Sequence, residues 1–211
     1  MTAPDTARPA RRVLVLATTN AGKIHEITAL LSGLDWTFVS QREVGVTTGV
    51  EEDGLTCLAN ALKKAVPLAQ RLRLPVLADD SGLEVDALGG APGVVSARFA
   101  GAAATEGDNR RLLLERLRDV PPDRRSARFR CVIAVASPSG ESRVFEGSVE
   151  GRICDREAGL LGFGYDPVFE LPERGVTFAE LTEAEKNRIS HRGRALAAVR
   201  DMLTTDAEWL G

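Results

Sequence analysis

Short apolar runs alternate along the chain with longer segments whose apolar residues recur at helical spacing. Residues 13–18 form a run rich in valine and leucine, which predicts a buried strand. Residues 23–34 place isoleucines and leucines three and four positions apart, which predicts a helix with one face in a core. The same alternation predicts strands at residues 36–40 and 74–80, and helices at residues 56–72, 106–120 and 194–203. Pro67 is expected to kink or break the second helix.

Two longer alternating runs, residues 126–137 and 141–151, are separated by "PSG" and predict a β-hairpin. Strands that alternate with helices and then with a hairpin indicate an α/β chain with a mixed sheet. Since no linker is long enough to force a split, residues 12–211 are predicted to form a single domain. Residues 1–11 carry charges and prolines and are interpreted as a disordered tail, not a targeting signal.

Composition narrows the class of protein. The chain has 211 residues, of which 44% are hydrophobic and 27% are charged, an ordinary globular balance. A net charge of −3 gives no reason to expect a nucleic-acid partner or an anionic membrane surface. No apolar run approaches the roughly 20 residues that span a bilayer. The 3 cysteines are widely spaced without a CxxC pair, which argues against disulfides or structural zinc and favours a reducing cytoplasm.

The first predicted strand leads through "TTNAGK" into the first predicted helix. Backbone N–H groups at a helix start, the helix dipole and Lys23 together form an anion site, and Thr19 or Asn20 could cap the helix. The spacing fits neither a Walker loop nor G-x-G-x-x-G. On this segment alone, a capped helix with a solvated lysine is the better interpretation.

Two acidic clusters carry the next candidate chemistry. In an extended strand Asp79 and Asp80 would point to opposite faces, which relieves the repulsion that would otherwise raise one carboxyl pKa. Glu51, Glu52 and Asp53 precede a glycine. Brought together, the two clusters would offer the oxygen ligands that Mg²⁺ prefers. Taken singly, each is more simply explained as a solvated turn.

Two further segments combine features of a ligand site. "GFGYDP" places glycines, which permit close backbone approach, beside aromatic rings that could stack on a base. In "EKNRISHRGR" a short helix is predicted to end near Ile189, and Ser190 to cap the next helix, with His191 and Arg192 in its first turn. Cations are disfavoured at a helix start, so an anionic or acceptor-rich group nearby is expected. The plain alternatives are a tight turn and a solvated basic helix.

Taken together, "ATTNAGKIHEI", "EEDGLTCLANALKKA", "ADDSGLEVDALGGAPGVVSARFAG", "GFGYDPVF" and "AELTEAEKNRISHRGRAL" resemble, in order and spacing, the non-standard purine nucleoside triphosphate pyrophosphatases. The resemblance extends over residues 13–203. Its departures are Cys57, where the family often has phenylalanine, and the N-terminal extension, neither of which is expected to touch the chemistry.

The resemblance implies an enzyme with an elongated α/β body, in which a long mixed sheet and flanking helices form two lobes around an active-site cleft. It implies Mg²⁺-dependent hydrolysis of ITP, dITP and XTP between the α and β phosphates, which yields a monophosphate and pyrophosphate. Such house-cleaning activity keeps these nucleotides out of DNA and RNA. The resemblance also implies a homodimer.

The resemblance assigns roles residue by residue. Asp80 corresponds to the general base on the attacking water and also to a metal ligand, a pairing that suits a metal-bound water. The second metal ligand is Glu52, with Glu51 as the alternative. Arg192, a pure donor, would read O6 of the base and oppose the amino group of adenine. The substrate-binding residues implied are Thr18, Thr19, Asn20, Ala21, Gly22 and Lys23 at the phosphates, Ser81, and Phe163, Gly164, Tyr165, Asp166, Lys186, His191 and Arg192 around the base and nucleotide.

Two rival functions stay open at this point. A pyrophosphatase for pyrimidine nucleotides would be expected to lack the "SHR" block, which is present. A nucleotide-binding protein without activity could lose Asp80 and the acidic cluster, and both are intact. The residue that excludes guanine through its 2-amino group is not assigned.

Overall fold

A computed structural model describes residues 12–211, so the predicted tail at residues 1–11 lies outside the described residues. The strands are β1 (Arg12–Leu16), β2 (Trp36–Ser40), β3 (Val76–Val85), β4 (Pro92–Gly93), β5 (Ser126–Ala136), β6 (Ser142–Ile153), β7 (Phe169–Leu171) and β8 (Val176–Thr177). The α-helices are α1 (Ala21–Leu30), α2 (Cys57–Leu72), α3 (Glu106–Arg116), α4 (Glu183–Ile189) and α5 (His191–Thr205). None of these helices combines the length and apolar character needed to cross a bilayer.

The strands form one mixed sheet in the order β2-β1-β3-β5-β6-β7-β8, with β4 paired to β3. β1 pairs in parallel with both β2 and β3, whereas β3, β5 and β6 pair antiparallel with one another in turn. The predicted hairpin is β5 and β6, which confirms that reading of residues 126–151. The α/β class and the long mixed sheet are confirmed as well.

Hydrophobic packing divides the sheet into two parts. Beside the first half of β3, Leu77 packs with α1 and α5 on one face, while Ala78 packs with α2 on the other. The second half of β3 contributes Leu83 and Val85 to a separate cluster with α3 and β7. These two parts are the two lobes, and β3, β5 and β6 run through both. That residues 12–211 form a single domain stays a prediction, which these shared strands support.

Two sequence-based expectations about these elements are wrong. The third strand does not stop at Asp80 in a turn, because β3 continues to Val85 and pairs with β5 along its whole length. The "DDSG" segment is therefore extended, and glycine is needed there because a Cβ atom at Gly82 would collide with the Gly93 carbonyl. Of the kink or break expected at Pro67, the break is wrong, because α2 continues from Cys57 to Leu72 with Pro67 on its exposed face, while Ala65 and Leu68 pack against the sheet.

Candidate functional site

Two adjoining cavities of about 260 and 380 Å³ lie where β3 passes from one lobe to the other, and Asn20, Lys23 and Glu52 line both of them. The predicted residues on the first cavity are Asn20, Lys23, Glu52, Asp80, Ser81, Phe163, Gly164, Tyr165, Asp166, Lys186, His191 and Arg192. Thr18 and Thr19 line the second cavity. Of the predicted residues, Ala21, Gly22 and Glu51 line neither cavity.

The turn between β1 and α1 forms one wall of the second cavity. Asn20 is the N-cap of α1, and its Oδ1 accepts a hydrogen bond from Lys23 N at 3.0 Å. The Thr18 hydroxyl accepts from Asn20 N at 3.2 Å. The helix start, with its remaining N–H groups and its positive dipole end, suits an anion such as phosphate. Of the two predicted caps, the structure selects Asn20 over Thr19.

Asp79 and Asp80 point to opposite faces of β3, as predicted. Asp79 faces α1 and α5: its Oδ1 lies 2.5 Å from Lys23 Nζ, and its Oδ2 accepts from Arg192 Nε at 2.8 Å. Ser81 Oγ donates to Asp79 Oδ1 at 2.8 Å. Burial alone would raise the pKa of Asp79, but Arg192 and Lys23 outweigh it and hold that pKa well below its usual value. Asp79 is therefore ionised at neutral pH and holds Lys23 and Arg192 in place.

Asp80 faces α2 and the second acidic cluster. Asn60 Nδ2 donates to Asp80 Oδ2 at 3.2 Å, and Lys64 Nζ lies 3.1 Å from Asp80 Oδ1. The same ammonium lies 2.8 Å from Glu52 Oε1. Burial lowers the pKa of Lys64, but Asp80 and Glu52 overcome that effect and raise it. Burial likewise raises the pKa of Glu52, and Lys64 more than reverses this.

Glu52 and Asp80 are the carboxylates at which a divalent cation could bind. Both line the first cavity, and both contact the Lys64 ammonium, so a divalent cation would bind beside that ammonium and not in its place. Within residues 12–211 no group of three or more His, Cys, Asp and Glu side chains is gathered as a metal site, so a cation there would draw its remaining ligands from water and phosphate, as Mg²⁺ commonly does. Glu51 is exposed, and the arrangement favours Glu52.

Cys57 at the start of α2 is nearer to this chemistry than expected. Burial, and after it the charge of Asp80, raises the pKa of the Cys57 thiol to about 12. The thiol is therefore protonated at neutral pH and is a poor nucleophile. That this departure from the family pattern does not touch the chemistry stays a prediction, although the thiol lies close enough to Asp80 to feel its charge.

Phe163 joins the two halves of the cleft. Its ring lies against the start of α1, where a Cβ atom at Gly22 would come within 2.8 Å of Phe163 Cδ1. Lys186 Nζ lies 4.8 Å from the ring centroid, and the Arg192 guanidinium carbon lies 5.6 Å from it. An aromatic ring beside two cations is a suitable stacking surface for an electron-poor base. Gly22 thus matters through the ring that it accommodates, although it lines neither cavity.

A chain of ion pairs holds the cations beside Phe163. Lys186 Nζ lies 2.7 Å from Glu26 Oε1 and 2.5 Å from Asp166 Oδ2. Asp166 Oδ2 also accepts from Phe163 N at 2.9 Å, so the loop and the lysine share one carboxylate. Burial raises the pKa of Asp166 despite the nearby Lys186. Tyr165 anchors the same loop by donating from its hydroxyl to Ser96 O at 2.8 Å.

The predicted break between two helices is confirmed at Ser190. α4 ends at Ile189, α5 begins at His191, and Ser190 Oγ accepts from Gly193 N at 3.0 Å. His191 is buried and stacks on Phe129 at 4.7 Å between centroids. Burial is the main cause that holds the pKa of His191 well below its usual value, so its ring is neutral.

The anionic groups expected near Arg192 are Asp79 and Glu26. Arg192 Nη1 lies 2.5 Å from Glu26 Oε2, Nε donates to Asp79, and Nη2 donates to Ser81 Oγ at 3.1 Å. Each nitrogen of the guanidinium thus already donates to a protein acceptor, and the residue is only 2% exposed. The expected anionic partners are therefore present, and a contact to O6 would be added to this network.

The model of the Ham1 family matches residues 14–202 of this chain. The chain belongs to the Ham1 family. It is 51% identical over 190 residues to the dITP/XTP pyrophosphatase of Geobacter sulfurreducens, a match that covers 90% of this chain and 96% of that protein. The dITP/XTP pyrophosphatase of Escherichia coli O157:H7 is 50% identical over 192 residues, covering 90% and 97% of the two chains.

Solved structures agree with this assignment to the Ham1 family. A HAM1 protein from Coxiella burnetii superposes with a TM-score of 0.84 at 42% identity, covering 92% of this chain and 98% of that chain. The nucleoside-triphosphatase or dITP/XTP pyrophosphatase from Mycobacterium abscessus gives 0.72 at 43% identity, covering 89% and 98%. The resemblance noted from the sequence motifs, and the fold that it implied, are confirmed.

Three buried polar residues of this Ham1 site were missed from the sequence. Asn60 and Lys64 lie four positions apart on the face of α2 that otherwise holds alanines and leucine against the sheet. Glu26 is buried beside Ile27 on α1, three positions after Lys23. Polar residues in the apolar stripe of an amphipathic helix are costly unless paired. Polar residues within the apolar stripe were therefore the sequence signal that could have identified these three residues.

Proposed function

We propose that this protein is a nucleoside triphosphate pyrophosphatase that hydrolyses ITP, dITP and XTP to the monophosphate and pyrophosphate. In the cell it would keep these nucleotides out of DNA and RNA. One observation carries the proposal: a single cleft joins the start of α1, the carboxylates of Glu52 and Asp80, and the aromatic and cationic groups around Phe163. Ham1 relatives about half identical to this chain are named dITP/XTP pyrophosphatases.

The proposed reaction begins with the triphosphate at the start of α1. The backbone N–H groups and Lys23 neutralise phosphate charge, and Asp80 takes a proton from the attacking water. The water oxygen forms a bond to the α-phosphorus, the α–β bridging bond breaks, and pyrophosphate leaves. Glu52 and Asp80 would hold Mg²⁺, which when bound lowers the pKa of its water ligand. Lys64 forms ion pairs with both carboxylates and so orients them.

Base selectivity is proposed to arise at the start of α5. Hypoxanthine and xanthine present O6 as an acceptor, and Arg192 together with the ring N–H of neutral His191 offers donors. Adenine presents an amino group at the same edge, so a donor would meet a donor. A site that leaves a buried polar group unpaired can reject a ligand by a large factor.

A substrate panel with detection of pyrophosphate tests the function. ITP, dITP and XTP are expected to release pyrophosphate and monophosphate, with ATP and GTP much slower. Faster turnover of dTTP or UTP would favour the pyrimidine alternative. Tight nucleotide binding without release of pyrophosphate would favour a binding protein.

Divalent metal dependence is the first prediction of this mechanism. We expect chelation with EDTA to stop hydrolysis of ITP and excess Mg²⁺ to restore it, because Lys64 offsets only one of the two negative charges of Glu52 and Asp80, and a polyanionic substrate beside them needs a further cation. The measurement is the initial rate of pyrophosphate release in metal-depleted buffer. Full activity under those conditions would remove the metal role from both carboxylates.

We also propose a homodimer in the cytoplasm. The dimer is supported by the family resemblance alone, and the location by Cys57, Cys131 and Cys154, all of which are free thiols. Light scattering at micromolar concentration is expected to give the mass of two copies of the 22.6 kDa chain. A single species with the mass of one chain would contradict the dimer.

A further inference from the structure

Two side chains of α3 form hydrogen bonds to the loop that carries Phe163. Glu106 Oε2 accepts a hydrogen bond from Gly164 N at 2.8 Å, and Arg110 Nη1 donates to Gly164 O at 2.8 Å. One glycine therefore has both its backbone polar groups bound by side chains of opposite charge. Hydrogen bonds to charged groups are shorter and stronger than neutral ones.

The helical repeat of α3 explains why both side chains reach the same glycine. Glu106 and Arg110 lie four positions apart, so they project from one face of the helix. The helix itself is held in place: a capping box joins Thr105 and Asp108, and Leu113 is fully buried. Side chains on a packed helix are more exact supports than side chains on loops.

Arg110 is itself held in position. Its side chain is 17% exposed, and its Nε lies 3.0 Å from Glu157 Oε1 in an ion pair that lacks hydrogen-bond alignment. The neighbouring Arg111 differs, because its side chain is 75% exposed and forms its ion pair with Asp108 on the same helix. The two arginines form a natural comparison of an engaged and a solvated side chain.

The conformation of Gly164 depends on these two hydrogen bonds. It has a φ of +62°, and a Cβ atom there would meet no neighbour, so Gly164 makes no side-chain contact of its own between Phe163 and Tyr165, which are held by Asp166 and Ser96. Ordering a flexible loop costs conformational entropy when a ligand binds. Two charged hydrogen bonds reduce that cost in advance.

We propose that Glu106 and Arg110 are positioning residues that hold the base-stacking loop in its binding shape before nucleotide arrives. The inference rests on the proposed function for the identity of the base site. It predicts that loss of either residue weakens binding of the base half of the nucleotide. Binding of the triphosphate half, at the start of α1, is expected to stay unchanged.

Titration calorimetry with two probes tests this separation, using inosine monophosphate for the base half and inorganic tripolyphosphate for the phosphate half. We expect Arg110→Ala to weaken binding of inosine monophosphate about tenfold, the lower range for one charged hydrogen bond. Tripolyphosphate affinity is expected to stay within about twofold, and in the ITP assay KM rises while kcat changes by less than about threefold.

Three more variants sharpen the result. Arg110→Lys keeps one donor and is expected to recover part of the lost affinity, whereas Arg111→Ala is expected to match the wild type. Glu106→Ala removes the hydrogen bond to Gly164 N. Because Glu106 is exposed, this variant provides the same test if Arg110→Ala does not fold. It is expected to weaken binding of inosine monophosphate as well.

Wild-type affinity for inosine monophosphate in Arg110→Ala, or in Glu106→Ala, would overturn the proposal. An equal loss of tripolyphosphate binding would overturn it too, because the effect would then be on the whole site. A wild-type protein that releases no pyrophosphate from any 6-keto purine nucleotide would instead overturn the proposed function, and the two failures are therefore distinguishable.

Discussion

Asp80→Asn is expected to lower kcat for ITP by at least about a hundredfold, the usual scale for loss of a general base. The amide is nearly the same size as the carboxylate and can still bond Asn60, but it cannot accept the proton of the attacking water. Binding of inosine monophosphate is expected to change little, because the side chain of Asp80 bonds Asn60 and Lys64 of α2, whereas Phe163 packs against α1. The rate of pyrophosphate release and the calorimetric affinity together measure the two effects.

Asp53→Asn is the matched control for that experiment. Asp53 belongs to the same acidic segment but is exposed, pairs with Lys63, and lines neither cavity. Its loss is expected to leave the rate near that of the wild type. If Asp80→Asn kept more than about half of the wild-type rate, Asp80 would not be the general base.

Arg192→Ala is expected to lower the free energy of unfolding by about 3–5 kcal/mol, the range for breaking a buried ion pair. Arg192 is the shared partner of Asp79 and Glu26, and all three side chains are buried. Removing it leaves two carboxylates in the protein interior with less compensation. Urea denaturation at neutral pH measures the change.

Arg194→Ala serves as the control for stability, because Arg194 is exposed and donates only to Ser148 O. An unfolding free energy for Arg192→Ala as high as that of Arg194→Ala would show that Arg192 does not hold the two carboxylates.

Since Arg192→Ala is expected to be unstable, base selectivity is better tested with Arg192→Lys, which keeps the charge but not the planar fork. We expect the ratio of kcat/KM for ITP over ATP to fall about tenfold. Equal losses for both substrates would place Arg192 at the phosphates instead.

The sequence was informative wherever one local rule decided the outcome. The cap at Ser190, the hairpin of β5 and β6, and the opposite faces of Asp79 and Asp80 each depend on a few neighbouring residues, and all three are confirmed. The wider set of site residues rested on the family resemblance, and the structure brings most of that set to one cleft.

Long-range pairing explains what local rules missed. β3 continues past Asp80 because β5, some 50 positions later in the chain, supplies its hydrogen-bond partners. Lys64 and Glu26 acquire their roles from residues on other elements, and no spacing within α1 or α2 reveals those partners. An anionic partner was expected near Arg192, but its identity was not, since Asp79 and Glu26 reach Arg192 from β3 and α1.

The opposite faces of Asp79 and Asp80 make the chemistry dependent on strand register. A slip of β3 by one residue would turn each carboxylate to the opposite face. In one direction, Asp80 would take the place of Asp79 beside Arg192, and Ser81 would take the place of Asp80 beside Lys64. Arg192 would keep a carboxylate partner, but a hydroxyl would stand where the proposed base belongs. The unbroken ladder from Val76 opposite Ala136 to Val85 opposite Ala127 prevents this slip. Backbone pairing between β3 and β5 therefore determines which of two chemically identical neighbours faces Arg192 and which faces Lys64.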